Sequence, residues 1–423
     1  MSAGVILFAF LIVGILDSVH FRPLLPSAEN SAQSSRPVYS TEIVSTLDAL
    51  LSVLRQHTET TYSAPFASTL YQKETVEVEG VQQRIYPKLE YGAAHLASPH
   101  LKASDIGLRI SVALTTAFSL LIMLCSVLVF ILSKRWQCSW GAALRYLFVG
   151  RCELAMRSAL VTITVLAALF AVCLALSPYY HVLGTDKVGQ DVLYLVLKSI
   201  RTALIIGTLT TLVMLPVAIV TGIAAGYMGG WVDDVIQYIY TVLNSIPGVL
   251  LIAAAALMMQ VVIDTHPQWF DTAAQRADAK LLSLCLILGI TSWTGLCRLL
   301  RGEAIKLREL EYVQAARSFG VGTAAILRRH ILPNVMHIVL IALVMDFSGL
   351  VLSEAVLSYI GIGVDPTTIS FGTMINMARA ELAREPMVWW SLMAAFVFMF
   401  TLVLSANLFA DAVRDAFNPS RHG

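Results

Sequence analysis

Two carboxylates, Asp346 and Glu354, stand eight residues apart inside an apolar run. At mid-bilayer a charge costs about 2.5–3.5 kcal/mol on insertion scales, so such residues carry a functional expectation. Eight helical residues bring the two acids back to within about 80° of one face. Either that face turns toward a pore or a partner subunit, or the acids are interhelical contacts, protonated and satisfied by neighbouring hydroxyls. Asn244, Ser245 and Pro247 form a second polar group within an apolar run. Pro247 removes a backbone hydrogen bond and is expected to kink its helix, freeing carbonyls to face a wet cavity; a packed kink without ligand contact is the alternative. Catalytic patterns are missing. There is no HExxH or GxSxG, His266 has no partner at recognisable spacing, and no GxxxxGK[ST] loop could cradle a phosphate. Cys125, Cys138, Cys152, Cys173, Cys285 and Cys297 lack CxxC spacing and lie in or beside apolar runs. Each reads as a buried small hydrophobe, and no metal site is expected.

The elements that position these groups follow from composition. Of 423 residues, 57% are hydrophobic and 13% charged, with a net charge of +1; mean hydropathy is +0.73. A soluble domain carries about 25% charged residues, so the surplus apolar surface must meet lipid. The near-zero net charge argues against a general nucleic-acid binder. About 20 apolar residues cross the hydrocarbon as helix. On that criterion candidate spans fall near 3–20, 110–132, 158–177, 202–226, 236–263, 282–300, 335–360 and 388–410. The first stops at Leu16–Asp17, like a cleaved signal peptide. No Lys or Arg precedes it and no small-x-small site follows, which favours an anchor.

Lys and Arg in short loops set orientation. One loop holds Lys134, Arg135, Arg145, Arg151 and Arg157; another holds Arg298, Arg301, Lys306, Arg308, Arg317, Arg328 and Arg329. Four spans separate them, so both fall on one side, expected to be cytoplasmic together with both termini. The 22–106 stretch is then external. Within it, Ser40 or Thr41 is expected to cap a helix through Gln56, and Val76, Val78 and Val81 around Glu79-Gly80 suggest a hairpin, making a small α+β segment. Trp231, Trp293, Trp389 and Trp390 lie near expected helix ends, as an interfacial belt or as packed residues.

The stretch Glu311-Tyr312-Val-Gln314-Ala315-Ala316-Arg-Ser-Phe-Gly320, continuing to His330-Ile331-Leu332-Pro333, reads as a helix–turn–helix knob. A charged helix over 298–318 is broken by Gly320 and Gly322. A second short helix runs through Arg329, and Pro333 opens the next span. Taken alone this could be an ordinary basic juxtamembrane helix. Its spacing resembles the EAA loop of ABC-importer permeases: Glu-Ala-Ala, three residues, Gly, nine residues, Ile-x-Leu-Pro. Gln314 stands for Glu and His330 for Ile. Gly184-Thr-Asp186-Lys-Val-Gly189-Gln-Asp191 is similar to the GTDxxGRD stretch of the C-type subunit of dipeptide and oligopeptide permeases, with Gln190 for Arg. Gly226–Asp234, Ser245-Ile-Pro247, Ser353–Gly363 and Asp411–Asp415 follow in the family's order, over about residues 156–423.

The resemblance implies an all-α polytopic membrane protein with a six-helix core at 156–423, its coupling loop at 298–334. Before it come an anchor at 1–21, the external segment at 22–106, and a second span with a basic loop at 107–155. It further implies a permease subunit that hydrolyses nothing and binds no cofactor. It would pair with a second permease subunit, two cytoplasmic ATP-binding subunits and an extracytoplasmic substrate-binding protein, in the bacterial inner membrane. Peptides are the family's commonest cargo; nickel chelates and oligosaccharides are alternatives. An integral membrane enzyme would need a catalytic cluster, and a secondary transporter internal repeats; neither pattern is present.

Overall fold

The computed structural model describes residues 1–23, 40, 43–78, 81–96, 98–136, 139, 141 and 156–417. Thr41, Glu79, Gly80, Cys138, Arg145, Arg151 and Cys152 lie outside them. In chain order the described elements are α1 (Ser2–Ser18), β1 (His20–Phe21), β2 (Val44–Ser45), α2 (Thr46–Leu50), α3 (Ser52–Gln56), β3 (Glu74–Val78), β4 (Val81–Ile85) and α4 (Lys102–Trp136). Then come α5 (Met156–Leu176), α6 (Val192–Met228), α7 (Gly230–Ser245), α8 (Gly248–Thr265), α9 (Ala273–Ser292) and α10 (Thr294–Arg308). The last are α11 (Glu311–Ser318), α12 (Thr323–Ile326), α13 (Leu332–Ile360), α14 (Phe371–Glu381) and α15 (Trp390–Phe417). Among the described residues, seven helical stretches are long and apolar enough to cross a membrane, and Ser2–Ser18 is a shorter apolar helix. The protein is an all-α polytopic membrane protein with two small antiparallel ribbons, β1–β2 and β3–β4.

Several hydroxyls inside these helices are satisfied locally, which avoids leaving a polar group unpaired in hydrocarbon. Thr208, Thr211 and Thr221 return their protons to carbonyls four residues back, and so do Ser353 and Thr401.

The chain forms two compact units, Met1–Arg201 with Met377–Leu402, and Thr202–Asn376 with Val403–Gly423. In the first, α4 packs along α5, and α1 packs on α5 and α2. Asp17, at the end of α1, is buried and accepts a proton from Ser45 Oγ at 2.7 Å; Lys198 Nζ lies 2.8 Å from it and 2.9 Å from Asp48. Burial raises the Asp48 carboxyl, but hydrogen bonds from Lys198, Tyr194 and Ser45 outweigh it and hold it at about 2. Ser45 caps α2 in a reciprocal box with Asp48. The cap is therefore Ser45 rather than Ser40, and the expected single helix to Gln56 is two, interrupted at Leu51. The β3–β4 hairpin forms with Val78 opposite Val81.

In the second unit, α6 and α10 approach closely. A β-carbon at Gly222 would sit 2.8 Å from the Cys297 carbonyl oxygen, and one at Gly226 would sit 2.5 Å from that of Arg301. Lipid gives little hydrophobic drive between helices, so backbone approach over small residues supplies the packing. Leu300, Ala304, Ile331 and Val335 fill the buried core around this contact. The expected span at 236–263 is two helices: α7 ends at Ser245, and Pro247 precedes α8. Pro247 breaks the helix rather than kinking it, because it lacks the N–H that would continue the ladder.

Candidate functional site

The 294–334 region is built on buried apolar residues with its polar groups left outside. The α10 helix starts at Thr294 and stops at Arg308, so the expected continuous charged helix over 298–318 is interrupted at Glu309–Leu310. Leu307 and Val313 are buried on either side of that break, and tertiary packing there overrides local helix propensity. The α11 helix ends where Gly320 adopts φ +76°; its N–H bonds to Arg317 O, and that of Val321 to Ala316 O at 3.1 Å. This doubly bonded left-handed cap reverses the chain. The next helix does not stop at Arg329: α12 passes through a π turn at Leu327–Ile331 directly into α13, with Pro333 in its first turn. Ile326 and Ile331 are buried beneath.

The outer face is different. Tyr312, Gln314, Ala315, Gly320 and Pro333 are exposed, while Ala316 and Leu332 pack partly against the core. Gln314 Nε2 donates to Glu309 O, and Tyr312 OH accepts from Asn334 Nδ2 at 3.0 Å. Phe319 at the tip is 87% exposed, the largest value among the exposed large hydrophobic side chains. Sequence reasoning missed it, although an aromatic just before a turn glycine was the available signal. It also missed the strut at the base. Arg301 Nε and Nη2 reach Asp233 Oδ1 and Oδ2 at 2.5 and 2.7 Å, a fork on a carboxylate. This pair holds the Asp233 carboxyl below the usual range. A rigid two-helix projection, fused without interruption to the α13 span, can pass displacement between a partner and that span.

The Gly184–Asp191 loop is built the opposite way. Gly184 (φ +74°) and Gly189 (φ +76°) leave no room for a β-carbon against the backbone of Ser63 and Glu59. Asp186 Oδ1 accepts the N–H groups of Val188 and Gln190, and Asp191 Oδ1 accepts that of Leu193 at the start of α6. Asp191 Oδ2 lies 2.8 Å from His181 Nδ1, and His181 Nε2 lies 3.2 Å from Glu59 Oε1. Glu59 also takes three backbone N–H groups, from Glu90, Tyr91 and Gly92. Burial alone lowers the His181 pKa, but hydrogen bonds to Asp191 and Glu59 outweigh it and hold the imidazolium to about 9. Burial raises Glu59, and the His181 and amide hydrogen bonds bring it down to about 2. The 59–92 stretch is thereby fastened to the loop. Thr185 exchanges bonds with Thr61 and Ser63, while Trp390 Nε1 donates to Thr185 O and its ring meets Tyr71 edge-on at 4.8 Å. Nothing local in the sequence marks Glu59 as a partner of His181.

Of the membrane-embedded polar groups, Glu354 is buried on α13. Its Oε1 accepts from Ser358 Oγ at 2.7 Å and from Ser370 Oγ at 3.0 Å. Ser370 also caps α14 at Thr373 N, so Glu354 ties α13 to the start of that helix. Asp346 is half-buried, with no hydrogen bond to another described residue. Asn244, Ser245 and Pro247 are exposed at the α7–α8 break, and Asn244 Oδ1 accepts from Thr294 Oγ1 at 3.1 Å. Trp293 and Trp390 are packed inside, whereas Trp231 and Trp389 are exposed. Cys285 and Cys297 are buried, and Cys125 and Cys173 partly so. No cluster of metal-ligating residues occurs among the described residues.

A polytopic helical core with a two-helix knob projecting between spans is the architecture of a transport permease, and the comparisons with known proteins agree. Residues 218–423 match the family described as binding-protein-dependent transport system inner membrane component. The chain is 31% identical over 239 residues to the dipeptide transport system permease protein of Lactococcus lactis, covering 56% of this chain and 64% of that protein. It is 31% identical to the oligopeptide transport system permease protein of Mycobacterium tuberculosis, over 57% and 76% respectively. The glutathione transport system permease protein of Pectobacterium atrosepticum is also 31% identical, over 56% and 72%. The chain belongs to the family of binding-protein-dependent inner-membrane permeases of ABC importers.

Proposed function

We propose that this chain is one of two permease subunits lining the path of an ATP-driven peptide importer. In this reading the face formed by Tyr312, Gln314, Ala315 and Phe319 is gripped by cytoplasmic ATP-hydrolysing subunits. The observation that carries it is the knob itself: apolar side chains anchor it from beneath, its outer face is exposed, with Phe319 bare at the tip, and it runs through a π turn into α13. Peptide cargo is supported by the relatives, which are dipeptide, oligopeptide and glutathione transport system permease proteins. Delivery then falls to an extracytoplasmic binding protein. The basic loops face the cytoplasm with both termini, the 22–106 segment faces outward, and 156–423 is the six-span core behind an anchor (1–21) and a second span (107–155).

The α7–α8 break supports a path lined by Asn244, Ser245 and Pro247, with Asp346. Broken helix backbone and exposed polar side chains do not face lipid. They require water or a second permease. The test is co-purification with the ATPase subunits. Ala315→Arg places a bulky charge on the exposed face without disturbing the core, and is expected to abolish capture while the chain stays folded. Undiminished capture and uptake would overturn the reading. Ala316 is a poorer probe, because it packs against the core.

A further inference from the structure

The α1 helix has 17 residues, which at about 1.5 Å each give roughly 26 Å, short of the ~30 Å hydrocarbon core. Its exposed stripe is Phe8, Leu11, Ile12 and Ile15. That stripe continues past the helix end through Val19 and Phe21, both exposed, and strand pairing sets Phe21 against Val44, next to exposed Ile43. Two further exposed apolar side chains, Leu50 (66%) and Val53, come from the α2–α3 helices, of which α2 packs on α1. Beneath the collar Asp17 and Asp48 are paired with Lys198, and Asp17 also with Arg201 at 3.9 Å, two carboxylates against two cations, while Arg22 beside Phe21 is exposed. The result is an apolar collar over a neutralised charge cluster.

We propose that this collar is a lipid-contact surface: the start of the external segment lies in the membrane interface, with Leu50 and Val53 seated in the acyl–headgroup boundary. Two observations favour lipid over a protein partner. The collar is continuous with the exposed stripe of α1, taken as the anchor proposed above, and it supplies the apolar length that this helix lacks. Apolar faces of this kind lie about 5–10 Å into the boundary. The segment is thus external but not free in the aqueous phase.

The test uses the full chain in nanodiscs of lipids brominated on their upper acyl carbons, with a fluorescent amino acid inserted singly at 8, 50, 53 or 86. Position 8 reports a lipid-facing site, and Tyr86, exposed beyond the β3–β4 hairpin, reports an aqueous one. Quenching at 50 and 53 is expected to exceed that at 86 about three-fold, in the isolated chain and equally in the assembled importer. Quenching at 50 and 53 no greater than at 86 would overturn the proposal. So would quenching that disappears on assembly, which assigns the collar to a protein neighbour. Neither result bears on ATPase capture by the knob.

Discussion

The knob at 294–334 and the loop at Gly184–Asp191 both carry family signatures, yet they spend their polar groups in opposite ways. In the loop, Asp186 and Asp191 are consumed by backbone N–H groups and by His181. In the knob, Tyr312, Gln314 and Arg317 are exposed, Tyr312 and Gln314 each making one local bond, to Asn334 and Glu309 O, while Leu307, Val313, Ile326 and Ile331 are buried beneath. A signature residue whose hydrogen bonds close internally maintains a shape. One left open is available to a partner. Motif spacing cannot separate these cases; hydrogen-bond accounting can.

The comparison breaks first at His181. Replacing it with Leu strands Glu59 and Asp191 as buried neighbouring carboxylates, an expected loss of about 3–5 kcal/mol. Thermal melts in detergent would register it, and an unchanged melt would mean that the loop is not held by this cluster. Next comes Asp233→Ala, which frees Arg301 at the base of the knob and should cost about 1.5–3 kcal/mol. Uptake should fall more than the folded population does. The third test is pH. The folded-state pKa of His181 lies at about 9, above its ordinary 6.5, so its contribution is complete below 6.5 and is lost as pH rises through 9. Glu59, depressed from 4.5 to about 2, contributes above 4.5 and loses that contribution as pH falls toward 2. Amide exchange at Glu90–Gly92, whose N–H groups Glu59 holds, should be slowest between pH 4.5 and 6.5 once corrected for intrinsic rates. The smallest effect is expected for Gln314→Glu. It removes the donor to Glu309 O at an exposed site and should shift stability by under about 1 kcal/mol. Any larger change in ATPase capture would then report the added charge alone.

Much of this was legible from residue order. Seven of the eight expected spans, the hairpin and the turn glycine follow from apolar run length, β-branched alternation and a glycine needing positive φ. The interruptions were not. Leu307-Arg-Glu-Leu-Glu311 contains no helix breaker, and the chain bends there because Leu307 and Val313 both reach the core. Pro247 announced a disturbance, but whether a kink or a full break depends on what the freed carbonyls meet. The Glu59–His181 contact joins residues 122 apart, and no local pattern encodes such a pairing.

That separation has a consequence for biogenesis. At about 5–20 residues per second, roughly 6–25 s pass between synthesis of Glu59 and of its imidazole partner. Trp390, which closes the same assembly onto Thr185, emerges a further 205 residues downstream of that threonine. The segment therefore waits, with Glu59 unpaired, until two later spans, α4 and α5, have been inserted. Its docking is a late checkpoint of assembly, and a chain halted within α5 would leave the segment unfastened and open to proteases.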